Sequence, residues 1–193
     1  KSYEETVDFT DFESLYQQYI RDLKKQIEGI CQYHNSLFEP KTAKESVWKW
    51  KPQIPCTVVS LFEKGCIQKG LSYLEGGPVY NVVSPHIGGL ADTVNSLLAI
   101  KKLIYEEKKL SLPEFLPILK KNWEGEEALR QYMQNHYFYY GCDNDEADFL
   151  AKRLLDDFAD CCATFDGMCG YRFPAGVSTF GRQSEWSSSR LAA

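Results

Sequence analysis

One stretch of sequence decides the fold: residues 76–109, GGPVYNVVSPHIGGLADTVNSLLAIKKLIYEEKK. Its β-branched run from Val79 to Val83 predicts a strand, which Pro85 ends. The glycine pair that follows predicts a flexible loop. From about Leu90 to Glu107 the apolar residues recur every three or four positions, and this spacing predicts an amphipathic helix. The stretch therefore predicts a strand, a loop and a helix in succession.

Helices are predicted on both sides of this stretch. Thr10-Asp11-Phe12-Glu13 has the pattern of a capping box, and the apolar residues after it recur at helical spacing as far as Cys31. Ser111-Leu112-Pro113-Glu114 is a second capping box, which begins a helix to about Lys121. Three more helices are predicted, at about residues 57–69, 126–137 and from residue 143 onward, where the start is acidic.

The remaining segments predict little regular structure. Residues 36–55 contain three prolines and two tryptophans, which favours an irregular connector anchored by the tryptophans. After a glycine-rich loop from Gly167, the run from Val177 to Phe180 predicts a second strand. Two isolated short strands do not form a stable sheet by themselves. The sequence thus predicts a mainly α fold with two or three short β-strands, part of a larger α/β structure.

Composition narrows the class of protein. Of the 193 residues 44% are hydrophobic and 25% are charged, with a net charge of −5, so neither disorder nor nucleic-acid binding is indicated. No run is long enough to span a bilayer and no signal peptide is visible, so we expect a cytoplasmic protein. The seven cysteines are odd in number and contain no Cys-x-x-Cys pair, which argues against a disulfide framework. With three histidines, no metal site is expected.

A few residues could carry chemistry. His86 follows a predicted strand end, where ligand pockets gather in α/β folds, so it could act as an acid–base group or substrate donor, or make a structural hydrogen bond. Cys169, between glycines, could be a reactive thiol, although only Arg172 is basic nearby. The acidic run from Asp143 to Asp148 could bind a cation, but a solvated helix start is favoured because its spacing is not that of a calcium loop.

Several motifs resemble those of the glycyl radical enzymes, the family of pyruvate formate-lyase and the diol dehydratases. EKGCIQKG, GGPVYN and GGLADTVNSLLAIKKLIYEEKKLSL lie in order between Phe62 and Leu112. YGCDNDEAD at residues 140–148 and PAGVSTFG at residues 174–181 resemble later motifs of that family. Cys142 and Asn95 depart from it, since the family usually has Asn and Asp at these positions. The resemblance covers nearly the whole chain.

The resemblance implies a fold and a chemistry. Residues 1–193 would be part of a ten-stranded α/β barrel, with a long helix and connector in residues 1–55 and barrel strands and packing helices in residues 56–193. In that family a radical S-adenosylmethionine activase installs a glycyl radical, which passes to a cysteine that abstracts hydrogen from the substrate. A carbon–carbon or carbon–heteroatom bond of a small organic molecule is then cleaved, by a lyase, dehydratase, decarboxylase or formate acetyltransferase-like reaction of anaerobic metabolism. A homodimeric parent is also implied.

The family's radical loops have no counterpart in these residues. Its catalytic cysteine lies in a Gly-Cys-Val/Ile-Glu loop, whereas Cys66 is followed by Ile67 and Gln68. Its glycyl radical lies in an Arg-Val-Ser/Ala-Gly-Tyr loop, which is also absent. We therefore expect an internal segment between the two loops that holds no catalytic residue and is inactive alone. A non-catalytic helical scaffold module is the alternative, and a small-molecule binding domain around His86 is a third.

The segment would still contribute to the substrate pocket. Alternation places Tyr80, Val82 and Ser84 on one face of the predicted strand and Val79, Asn81 and Val83 on the other, and either face could line the barrel. The predicted pocket residues are Tyr80, Asn81, Ser84, His86, Ser178 and Phe180. The sequence does not select the substrate.

Overall fold

The computed structural model describes residues 9–36, 38–42, 45–48, 56–167 and 170–178. The helices in these ranges are α1 (Phe12–Ser36), α2 (Thr57–Phe62), α3 (Cys66–Lys69), α4 (Leu90–Ile100), α5 (Leu112–Lys120), α6 (Glu127–His136) and α7 (Asp145–Ala163). The strands are β1 (Phe38–Thr42), β2 (Glu45–Trp48), β3 (Asn81–Val82), β4 (His86–Gly88), β5 (Tyr171–Arg172) and β6 (Gly176–Ser178). A 3-10 turn (Tyr73–Glu75) and a π-helical segment (Lys101–Glu106) complete the set. The mainly α prediction agrees with this structure, which has six strands in its described part rather than two or three.

The strands form three pairs. β1 and β2 are an antiparallel hairpin, so the prediction of an irregular connector over residues 36–55 was wrong for these strands. Pro40 lies at an irregularity of the pairing, where its missing N–H is tolerated. β3 pairs in parallel with β5, and β4 pairs with β6. Ser36 of the predicted connector ends α1, and residues 37, 43–44 and 49–55, which include Trp50, lie outside the described residues.

The segments 81–88 and 171–178 run side by side with a constant offset. Asn81 faces Tyr171, and Ser84 contacts Pro174, 90 residues later. Beyond Pro85 the pairing continues, because the Gly176 N–H donates to the Pro85 carbonyl at 2.9 Å. The strand predicted from Val79 to Val83 is shorter in the structure: β3 ends at Val82, before Pro85, and β4 begins at His86. Pro85 lacks a donor, but its carbonyl still accepts.

This pairing corrects three further predictions. His86 begins β4 instead of following the end of a strand, and Gly88 is its last residue instead of a loop residue. β5 was not predicted, since it lies in a run with glycine and proline on either side. β6 covers the first part of the predicted strand, and Thr179 and Phe180 lie outside the described residues.

The helices follow the sequence pattern with shifts at their ends. α1 is capped by Asp11, whose carboxylate accepts from the backbone N–H of Ser14 at 2.7 Å, and not by the predicted box from Thr10 to Glu13. The predicted helix over residues 57–69 is broken at Gly65, which has a φ of 105°. The capping box at Ser111 is confirmed, since its backbone N–H donates to the Glu114 carboxylate at 2.8 Å.

The chain divides into two compact units. Unit 1 comprises residues 1–21, 87–157 and 177–193, and unit 2 comprises residues 22–86 and 158–176. The described core of unit 1 joins α4, the π-helical segment, α5 and α6 through Ala99, Leu103, Ile104, Leu112, Phe115, Trp123, Met133 and Tyr137. In unit 2 the buried His34 ring lies 4.9 Å from the ring of Tyr171 and 5.4 Å from that of Phe173. No helix in the described ranges is long and apolar enough to cross a membrane.

Candidate functional site

The paired segments of unit 2 bring Ser84 and His86 together. Ser84 lies two residues before His86, which begins β4. Both reach over Gly176, the first residue of β6. Oγ of Ser84 and Nε2 of His86 each lie no more than 2.7 Å from the position that a Cβ atom at residue 176 would occupy.

The hydrogen bonds define what this pair can do. Ser84 donates its hydroxyl proton to the Pro174 carbonyl at 2.7 Å, so its oxygen has only lone pairs left to offer. A serine bound in this way is a poor nucleophile, because its proton is not held by a base. The His86 side chain is exposed, and an imidazole can donate or accept. Together the two groups can bind a hydroxyl or another small polar group and exchange a proton with it.

Asn81 and Tyr80 lie apart from this pair. The Asn81 side-chain amide donates to the Pro78 carbonyl at 3.1 Å, and Lys69 donates to the same carbonyl at 2.8 Å. Asn81 therefore holds the glycine–proline loop in place. The Tyr80 side chain is 83% exposed. Which strand face lines a barrel stays a prediction.

The other two predicted pocket residues lie on the later strand. Ser178 ends β6 in unit 1, and its buried Oγ has no hydrogen-bond partner among the described residues. A buried hydroxyl without a partner loses the hydrogen bonds it would make with water. Phe180 lies outside the described residues, so its place in the pocket stays a prediction.

The described cysteines are mostly structural. Cys66 is 3% exposed and its Sγ lies 2.7 Å from the position that a Cβ atom at Gly77 would occupy, so its thiol packs beneath the loop. Burial, with smaller contributions from Cys161 and Cys31, raises the pKa of Cys162 to about 11. A thiol with a raised pKa is a weak nucleophile. Cys169 lies outside the described residues.

The acidic run before and within α7 is a helix start. Asn144 accepts from the Ala147 backbone N–H at 3.3 Å, which caps the helix. Glu146 contacts Lys101 at 2.5 Å and Lys102 at 2.7 Å. Burial alone would raise the pKa of Glu146, but hydrogen bonds from the two lysines outweigh it and lower that pKa. Within the described ranges no three His, Cys, Asp or Glu side chains are placed to hold a metal ion.

Comparison with known proteins identifies the family. Residues 1–185 match the family described as Pyruvate formate lyase-like, and the chain belongs to that family. The predicted resemblance to glycyl radical enzymes is thereby confirmed.

Two curated relatives are dehydratases. The (2S)-3-sulfopropanediol dehydratase of Klebsiella oxytoca is 37% identical over 103 residues, which cover 53% of this chain and 12% of the relative. The trans-4-hydroxy-L-proline dehydratase of Clostridioides difficile is 29% identical over 169 residues, which cover 86% of this chain and 20% of the relative. The chain therefore spans a fifth or less of the length of these two relatives.

Solved structures support the same fold. The glycerol-bound B12-independent glycerol dehydratase from Clostridium butyricum superposes with a TM-score of 0.77 at 21% identity, over 100% of this chain and 23% of that one. A glycyl radical enzyme from Archaeoglobus fulgidus superposes with a TM-score of 0.70 at 25% identity, over 89% of this chain and 20% of that one.

Sequence reasoning missed two groups that define the site. Gly176 was placed in a loop, and Pro174 was assigned no role, although its carbonyl fixes Ser84. Both depend on a contact between segments 90 residues apart. No local pattern in a single sequence reports such a contact.

Proposed function

We propose that this chain is a scaffold segment of a glycyl radical lyase or dehydratase that cleaves a carbon–carbon or carbon–heteroatom bond in a small organic substrate. The family match over residues 1–185 is the observation that carries this proposal. The named relatives support it, since they include dehydratases and an isethionate sulfite-lyase of Nitratidesulfovibrio vulgaris.

His86 is the proposed acid–base group of this segment. Loss of a hydroxyl as water is easier when a neighbouring acid protonates it, and histidine side chains often serve as such general acids. Ser84 donates its hydroxyl hydrogen to the Pro174 carbonyl, so its oxygen is left as an acceptor. That oxygen would accept a hydrogen bond from the same substrate hydroxyl and orient it. The proposed wall of the substrate pocket still consists of Tyr80, Asn81, Ser178 and Phe180. The residues of this chain would thus bind and orient the substrate and move one proton.

The radical itself is proposed to lie outside this segment. Cys66 is the cysteine whose Gly-Cys-Ile-Gln context comes nearest to the family's loop, and its buried thiol packs against Gly77. In the parent protein a glycyl radical, installed by a radical S-adenosylmethionine activase, would supply hydrogen abstraction. We propose that the segment is inactive alone and that the parent is a cytoplasmic homodimer of anaerobic metabolism. We also propose that the partial barrel domain consists of a long helix and connector in residues 1–55 and of barrel strands and packing helices in residues 56–193.

A non-catalytic scaffold module is the second candidate. It is in keeping with the mainly helical structure of the described residues. A binding domain for small molecules around His86 is a weaker third candidate, and titration with small hydroxylated ligands that produces no heat or spectral change would count against it.

Anaerobic activation distinguishes the proposed radical enzyme from the non-catalytic scaffold module. The full-length polypeptide that contains these residues would be incubated with a radical S-adenosylmethionine activase and examined by electron paramagnetic resonance. We expect the doublet of a glycyl radical. A polypeptide that has both radical loops and gives no such signal would count against the enzyme, and natural ends at Lys1 and Ala193 would favour the module.

A further inference from the structure

We propose that Gly176 is a positioning residue, whose missing side chain lets the His86 imidazole and the Ser84 hydroxyl converge on one point. A Cβ atom at residue 176 would lie 2.6 Å from Cδ2 and 2.7 Å from Nε2 of His86, and it would also collide with Oγ of Ser84. Non-bonded carbon atoms pack at about 3.5–4.0 Å. Glycine is therefore the residue that leaves both side chains where they are.

Glycine is required at position 176 because there is no room for a Cβ atom, and not because of its backbone conformation. Gly65 and Gly89 adopt the left-handed conformation that glycine favours, but Gly176 does not. Gly88, two residues beyond His86 on β4, is also outside that conformation, and a Cβ atom there would meet nothing within 4 Å. Gly176 and Gly88 thus differ in what a side chain would touch, which makes Gly88 a matched control.

The strands around Gly176 are fixed on both sides. Its N–H donates to the Pro85 carbonyl at 2.9 Å, and Ser84 Oγ donates to the Pro174 carbonyl at 2.7 Å. The His86 side chain is exposed, and its ring can rotate about two side-chain bonds. A side chain at residue 176 would consequently displace the imidazole before it separated the strands.

The functional meaning of this position rests on the proposed function, in which His86 exchanges a proton with a substrate hydroxyl. Proton transfer requires the two heavy atoms to be about 2.6–3.2 Å apart. An imidazole that rotates away from Gly176 would leave that geometry although its chemistry is unchanged. Gly176→Ala in the parent should then reproduce the loss of turnover of His86→Ala at equal radical content.

Nuclear magnetic resonance of the 193-residue chain tests the positioning directly. The imidazole signals of His86 would be assigned by their absence in His86→Ala. We expect them to shift in Gly176→Ala and to stay in place in Gly88→Ala. Unmoved His86 signals in Gly176→Ala would overturn the proposal.

A double-mutant cycle tests the same contact by stability. Overpacking should lower the unfolding temperature of Gly176→Ala by roughly 5 °C. Most of that fall should vanish in the Ser84→Ala/His86→Ala background, and equal falls in both backgrounds would overturn the proposal. If Gly176→Ala does not fold, folding of the triple variant supports the proposal and its failure to fold overturns it. The proposed function fails separately, if His86→Ala leaves the parent's turnover intact.

Discussion

The two glycines Gly29 and Gly77 differ in the space that surrounds them, and they show how a single residue affects stability. Gly29 lies in the middle of α1, where a Cβ atom would meet nothing within 4 Å. At Gly77 a Cβ atom would collide with the Leu71 carbonyl and lie 2.7 Å from both the Ser72 carbonyl and Cys66 Sγ. Backbone carbonyls cannot rotate aside as a side chain can, so this close approach is specific to glycine.

Alanine at these positions should change stability in opposite directions. Gly29→Ala removes a flexible residue from a helix and should raise the free energy of unfolding by about 0.5–1 kcal/mol. Gly77→Ala overpacks a fixed backbone and should lower it by roughly 2 kcal/mol or more. Urea unfolding of both variants measures the difference, and equal effects would contradict this account of Gly77.

The buried His34 predicts a pH dependence of stability. Burial lowers its pKa from the ordinary value, and a hydrogen bond with Asn35 opposes part of that fall. Since the folded state binds its proton less readily than the unfolded state, the contribution of His34 is fully present above about pH 6.5. It is lost as the pH falls through the lower pKa of the folded state.

His34→Phe keeps an aromatic ring beside Tyr171 and Phe173 and removes this titration. The free energy of unfolding of the wild type should therefore fall more steeply between about pH 7 and about pH 5 than that of the variant. Other groups titrate in both proteins, so the difference between the two curves is the measurement. Parallel curves would show that His34 does not contribute.

At the scale of elements, α1 and α7 are linked within unit 1 by one charged network. Tyr16 is fully buried and donates its hydroxyl proton to Asp157 at 2.7 Å. The Arg153 guanidinium lies 4.0 Å from the centroid of the Tyr16 ring and pairs with Glu13 at 2.5 Å. Burial, and then the hydrogen bond to Asp157, raise the pKa of Tyr16. The tyrosine thus stays protonated and donates.

Tyr16→Phe removes that hydrogen bond and keeps the ring. We expect the free energy of unfolding to fall by about 1–2 kcal/mol, because the buried ring remains but the carboxylate loses its donor. Tyr33→Phe is the control on the same helix, since the Tyr33 side chain is 69% exposed and its change should be close to zero. Equal effects of the two substitutions in calorimetry would contradict the assigned link.

Most helices were predictable, because their apolar spacing and caps are local. What the sequence did not predict depends on contacts between distant residues or on strain. Gly65 breaks the expected helix after α2 because its N–H is held by Gln68 in a left-handed turn. Lys101 and Lys102 are adjacent, yet both reach Glu146 from a π-helical turn. Adjacent residues of a regular α-helix point in different directions, so local periodicity gives no sign of this arrangement.

At the scale of the whole molecule, the family and the mainly helical fold were predictable, and the candidate site was predictable only in part. Ser84 and His86 were both predicted as pocket residues, and the structure brings their side chains together beside Gly176. Gly176 could not be chosen, because it reaches them through strand pairing across 90 residues. The barrel itself is proposed from the family, as the described strands occur in separate pairs.

The exposed apolar surface of α2 predicts that substitutions on this helix have little effect on the stability of the whole chain. None of its residues is buried, and Phe62 is 86% exposed, whereas Phe115 on α5 is 2% exposed. Phe62→Ala should change the free energy of unfolding by no more than about 0.5 kcal/mol. Phe115→Ala should lower it by about 3–5 kcal/mol. A large loss of stability in Phe62→Ala, measured by the same denaturant titration, would show that α2 is packed in this chain.

The most direct test of the central claim is the turnover of an activated parent protein, expressed per glycyl radical, for the wild type and His86→Ala. The claim is that this segment of a glycyl radical enzyme places His86 as an acid–base group. Removal of such a group typically costs about 10²–10⁴-fold in rate. We therefore predict equal radical signals in the two proteins and a turnover at least about 100-fold lower in the variant. Equal turnover per radical would contradict the claim.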